Sequence, residues 1–203
     1  MLALPPSLHR VTRARLYITL GLVLILLSPY VPASRAQEMQ VPVDLQVALF
    51  SKILSFDRKL ERGPEKQIDV GILFQRKFRP SIRAKADFMA AVADAADSRV
   101  RFRCFPIEAT DLLEVEQRLA AGSLDVLYVA PLRSFDLAGL SRITRERDVR
   151  TIGVPEYVEQ GLSVGLATRT DKPLILVNLK AARAEGAEYA SRLLRLAKIV
   201  HPE

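Results

Sequence analysis

The sequence predicts an α/β fold: a three-layer sandwich whose mixed, mostly parallel sheet has helices on both faces, ending in a C-terminal β-hairpin and a closing helix. Three observations lead there. Short apolar runs rich in β-branched residues, "IDVGILF" and "LDVLYVA", are too short for buried helices and fit buried strands. Segments with helical apolar spacing alternate with these runs, which is the order of a largely parallel sheet. Near the end, "LSVGLAT" and "LILVN" face each other across "RTDKP", the pattern of a hairpin, so the last strands run antiparallel.

The elements follow in order. Residues 1–36 carry Arg10, Arg13 and Arg15, then the apolar run Leu16 to Leu27, then "ASRA" ending at Ala36. A basic stretch, a short apolar stretch and small residues at the last and third-last positions describe a secretory signal, with cleavage expected between Ala36 and Gln37. The apolar run stops at Ser28 and Pro29, short of the roughly 20 residues that span a bilayer. The remainder, residues 37–203, reads as one domain without repeats or a linker.

Asp44 opens a helix with the stripe Leu45, Ala48, Leu49, Ile53 and Phe56. Charged residues from Asp57 to Lys66, with Gly63 and Pro64, make a turn before the first strand. Arg79, Pro80 and Ser81 open a second helix, and "VRFRCF" alternates as a strand with one wetter face. Asp111, with Glu114 three residues on, caps a third helix that Gly122 ends. Ser134 to Asp148 forms a fourth, and "TIGV" a short strand. Asn178 caps the closing helix, whose stripe would be Ala182, Gly186, Ala190, Leu193, Ala197 and Val200, with Glu188 pairing outward to Arg192.

Composition excludes several functions. The formal charge of +7 includes four arginines of residues 1–36, and without them 26 basic residues face 23 acidic ones. A net charge of +3 is no nucleic-acid footprint. The only histidines are His9 and His201, so the folded body has no histidine for a nucleophilic triad or a zinc site. No phosphate-cradling glycine motif occurs, and no cofactor is expected. The single cysteine, Cys104, cannot form an internal disulfide, and the alternation of its strand places it on the apolar side.

From Leu124 onward the chain resembles the YfiR-like family of exported proteins. Val177, Asn178, Ala181 and Ala182 match a "VNxxAA" motif, and Leu193, Leu194, Leu196 and Ala197 an "LLxLA" motif; "LQVALFSKILSFDR" is similar to the family's opening helix. Leu124 and Asp125 stand where a Cys-His pair is frequent, and the family's cysteine pairs are absent. The resemblance implies a non-catalytic periplasmic regulator acting by protein–protein contact, as in the relative that inhibits a membrane diguanylate cyclase. Its partner would be a membrane-bound signalling protein, and a homodimer stays open. Pro155, Tyr157 and Val158, between two strands in "GVPEYVEQGLS", are the expected partner-binding residues, since tyrosine is enriched in interface centres. The alternative is capture of a small solute. "RLAAGSLDVLYVAP" is similar to a stretch of periplasmic solute-binding proteins, and Arg133 and Ser134 follow the carboxyl end of its strand, where open α/β sheets bind ligands.

Overall fold

A computed structural model describes residues 41–60, 66–95, 100–170 and 172–201. The expected signal, with Ala36 and Gln37, lies outside the described residues. Helix α1 (Val43–Leu54) leads through a short turn to strand β1 (Lys66–Phe74), followed by α2 (Arg79–Asp94) and β2 (Val100–Glu108). Then come α3 (Leu112–Ala121), β3 (Val126–Val129), α4 (Leu137–Glu146) and β4 (Arg150–Gly153). A 3₁₀ turn (Pro155–Tyr157) leads to the hairpin β5 (Val164–Arg169) and β6 (Lys172–Val177). The chain closes with α5 (Leu179–Ala184), α6 (Ser191–Leu194) and β7 (Lys198–Ile199).

The seven strands form one sheet in the order β2-β1-β3-β4-β5-β6-β7. All neighbours are parallel except β5 and β6, which pair antiparallel from Val164↔Val177 to Arg169↔Lys172. Alternation along each strand divides the apolar side chains between two faces. On one, Ile68, Val70 and Ile72 pack with Phe50 of α1 and Phe88 of α2. On the other, Leu73, Leu127 and Val129 pack with Val115 and Leu119 of α3 and Leu140 and Ile143 of α4. This is the expected three-layer α/β fold, with its hairpin in place.

Local signals explain most element ends. The Asp111 carboxylate accepts from Glu114 N–H at 2.8 Å, and Asn178 Oδ1 from Ala181 N–H at 3.0 Å, each satisfying an otherwise unpaired first-turn amide. Gly165 has no side chain because a Cβ there would come within 2.8 Å of the Pro155 backbone, so the 3₁₀ turn lies directly on β5.

The expected long closing helix is corrected: the segment is two short helices and an edge strand. Gly186 adopts φ +76, and its N–H donates to Arg183 O while Ala187 N–H donates to Ala182 O. These paired bonds around a left-handed glycine are a helix terminator. The chain then pairs with the end of α1: Ala190 N–H donates to Phe56 O and Arg58 N–H to Glu188 O, and Asp57 and Tyr189 form an isolated bridge. Glu188 therefore meets Arg58 at 3.3 Å rather than the expected Arg192.

Candidate functional site

The strand order sets where a site can form. From β1 the chain crosses to β2 on one side, whereas β3, β4 and β5 build out on the other. Open α/β sheets take ligands at the carboxyl ends of the strands where that direction reverses, and here the reversal falls between β1 and β3. The loops there are the one after Phe74 and the one after Val129, which carries Arg133 and Ser134.

The two loops are tied to each other. The Gln75 side-chain amide donates to Arg133 O at 3.0 Å, and its oxygen accepts from Arg133 N–H at 2.7 Å, so one side chain bridges the switch point as a strand would. Gln75 is itself held, its N–H donating to Ser81 Oγ at 2.8 Å. Beside it, Arg76 makes two bonds to Glu108, at 2.9 and 2.7 Å, and this guanidinium holds the Glu108 carboxyl below its usual range. Arg133 and Ser134 are exposed, Ser134 in the left-handed region at φ 50. The switch point thus carries an Arg76–Glu108 ion pair, an exposed Arg133 and a side-chain bridge between its two loops.

Tyr157 closes the same loop from beneath. Its hydroxyl accepts from Leu132 N–H at 2.7 Å and donates to Leu132 O at 3.1 Å. Only 2% of Tyr157 is exposed, and Pro155 and Val158 are buried with it. The expected exposed docking surface of Pro155, Tyr157 and Val158 is therefore corrected. A tyrosine reaching a backbone amide across 25 residues packs inward, and Gly165 draws the turn onto the sheet. An open depression of about 530 Å³ lies elsewhere, on the outer face of α3, lined by Asp111, Leu113, Glu114, Gln117 and Arg118.

Two buried polar clusters were not foreseen, one around Glu185 and one around the Arg150–Asp57 pair. Glu185, just after α5, is fully enclosed and accepts from Thr151 N–H and Thr151 Oγ1, both at 2.8 Å, from Ser163 Oγ, and from Thr144 Oγ1 at 3.4 Å. Burial pushes its carboxyl up to about 7, against the opposing pull of those bonds and of Arg145. Nearby, Arg150 pairs with Asp57 at 3.0 Å and also donates to Asp148 O and Gly186 O. The available sequence signal for Glu185 was an acid directly before a helix-ending glycine, within an alanine-rich stretch. Cys104 packs half-buried at the edge of the α1–α2 core, and burial pushes its thiol up to about 11. Among the described residues, no group of three or more His, Cys, Asp or Glu side chains is placed to hold a metal ion.

A seven-stranded, mostly parallel sheet with helices on both faces and a switch point between β1 and β3 defines a doubly wound α/β domain. Within that class, a family model described as YfiR/HmsC-like matches residues 44–198, and the chain belongs to this family. No curated protein matches significantly. Among solved structures, the chain is similar to an ABC domain in complex with L-Trp from Streptococcus pneumonia (13% identity, TM-score 0.56, covering 79% of this chain and 62% of that one). It is also similar to a conserved domain protein from Vibrio cholerae (14%, TM-score 0.56, 79% and 60%). A third is a substrate binding protein with adhesive properties from Clostridium difficile, in a ligand-free, open structure (18%, TM-score 0.54, 80% and 61%). The chain spans about three fifths of these proteins' length, and at such identity the likeness is one of fold.

Proposed function

We propose that the protein is an exported, non-catalytic regulator that acts by binding another protein, with the outward-facing domain of a membrane diguanylate cyclase or related sensor as its target. Membership of the YfiR/HmsC-like family supports this reading. The structural observation that carries it is the bridged switch point: at the position where open α/β sheets take ligands, Gln75 already satisfies the backbone groups of Arg133. A switch point bridged in this way favours contact through a surface. Export fits an N-terminal signal through Ala36, and no helix among the described residues is long and apolar enough to cross a membrane.

The test is direct. The purified protein should bind the isolated outward-facing domain of a membrane diguanylate cyclase of its own cell, and deleting its gene should raise the cell's cyclic diguanylate. Absence of both effects would remove the reading.

Solute binding is the second reading. It is favoured by the exposed Arg133 and Ser134 at the switch point and by the fold likeness to a substrate binding protein and to a domain in complex with L-Trp. It requires Gln75 to swing aside. Some member of a panel of amino acids and small carboxylate anions should then raise the melting temperature, and Arg133→Ala should abolish that rise.

A further inference from the structure

The hairpin β5–β6 extends beyond its neighbours in the sheet. Strand β4 pairs with β5 only at Val164 and Gly165, and β7 pairs with β6 only at Leu176 and Val177. Leu166–Arg169 and Lys172–Ile175 therefore form a two-stranded arm with no strand on either side among the described residues. Opposed residues of an antiparallel pair share a face, so the register sorts the arm's side chains. Leu166, Ile175 and Val177 lie on one face and join the core around Phe50. Ala167, Leu174 and Leu176 lie on the other face, are partly exposed, and belong to neither core cluster.

The uncovered face continues past the arm. Lys198 sits opposite Leu176, on the same side. Just before it, Leu196 is 65% exposed, while its neighbour Ala197 turns into the core. The rim is basic: Arg169, Lys172, Arg195 and Lys198 are exposed and make no ion pair among the described residues. The acid of the hairpin turn, Asp171, lies outside the described residues.

We propose that this face, Leu174, Leu176 and Leu196 framed by Arg169, Lys172, Arg195 and Lys198, is the protein's docking surface for an acidic amphipathic segment of a partner protein. An apolar strip rimmed by polar groups marks an interaction site, and a rim of one sign selects a partner of the other. The arm's outer edge is a poor template for strand addition, because Pro173 lacks an N–H and Lys172 carries a charge, both devices that blunt edges. With the β6 edge blunted, the uncovered face is the surface this inference takes up. The inference rests on the regulator reading for the kind of partner, and on the hairpin geometry for the place.

The experiment titrates the protein, purified as the cell processes it, against three probes: a labelled peptide of alternating leucine and glutamate, its leucine–lysine counterpart, and phosphatidylglycerol vesicles. The acidic peptide should bind, weakening with salt. Lys172→Glu combined with Lys198→Glu should weaken it at least tenfold, and Arg118→Glu on α3 should leave it unchanged. If the double variant fails to fold, Arg169→Glu combined with Leu196→Ser, at exposed positions, is read in its place. Equal binding of the lysine peptide, no loss in the variants, no peptide binding, or binding to vesicles alone would each overturn the proposal. A parallel titration with the cyclase domain separates the two readings. A domain that binds wild type and double variant alike removes this surface and keeps the regulator. Expected peptide binding with no binding of the domain keeps the surface and removes the cyclase as partner.

Discussion

Tyr128 and Glu185 are both fully buried residues with polar ends, and the protein accommodates them in opposite ways. Tyr128, in the middle of the sheet, stacks on Phe88 with ring centres 4.1 Å apart and meets Phe50 edge-on at 6.4 Å; its hydroxyl has no hydrogen-bond partner. Glu185, at the β4–β5 junction, has a donor from the backbone or side chain of three separate segments. The first region is held by aromatic and aliphatic packing, where one orphaned hydroxyl is tolerated for the area its ring buries. The second is held by a polar network, where each member is needed because the others are buried with it. A domain of this size can close its centre by patterning alone, but its C-terminal segment is fastened by specific bonds.

The comparison can be broken most severely at Asp57. This side chain meets Arg150, accepts from Glu188 N–H at 2.9 Å and from Lys59 N–H at 3.0 Å. Asp57→Ala leaves the buried guanidinium without its counter-charge, a change that costs about 3–5 kcal/mol. Urea denaturation should show that loss. A loss below about 1 kcal/mol would mean the C-terminal segment is held by packing like the rest.

Glu185 gives the next effect, and its sign is fixed. Folding raises the carboxyl from 4.5 to about 7, so between those values the native state keeps a proton that the unfolded chain has released. The contribution to stability is complete below about pH 4.5 and is lost as pH rises through 7. A shift of that size corresponds to about 3 kcal/mol. Denaturation of wild type and Glu185→Gln at pH 5 and pH 8 should show the wild type losing more stability between the two than the variant. Parallel curves would place the carboxylate, fully satisfied by its donors, as ionised throughout.

The smallest effect belongs to Tyr157→Phe, which keeps the ring and removes two bonds to Leu132. With the ring still filling its site, the loss should be about 1–2 kcal/mol. Thermal melting measures it. A larger loss would show that the hydroxyl also fixes the loop carrying Arg133.

The same contrast explains what could be read from the sequence. Strands β1 and β3 were legible because fully buried strands must be runs of apolar residues, and the hairpin because turn residues separate two such runs. Asp111 and Asn178 were legible as caps because a cap is satisfied within three residues. The closing segment was not legible. Its apolar spacing fits a helix, and only the left-handed conformation of Gly186, fixed by partners far along the chain, ends it. Tyr157 was misplaced for a related reason: its partner at Leu132 is distant in sequence, and no local pattern distinguishes an inward tyrosine from an interface one. Arg133 and Ser134 were placed correctly at the end of β3, since that follows from the strand itself. The bridge from Gln75 follows only from the strand order.

The pairing of Asp57 with the backbone of Glu188 joins residues 131 positions apart, and it has a kinetic side. Contacts of such separation close a very long loop, whose entropy must be lost before the contact returns anything. Without residues 184–203 Asp57 and Arg150 would lack the carbonyl of Gly186, the amide of Glu188 and the bridge to Tyr189. The segment Gly186–Tyr189 thus completes the enclosure of this buried pair, a contact that only a loop of that length can close.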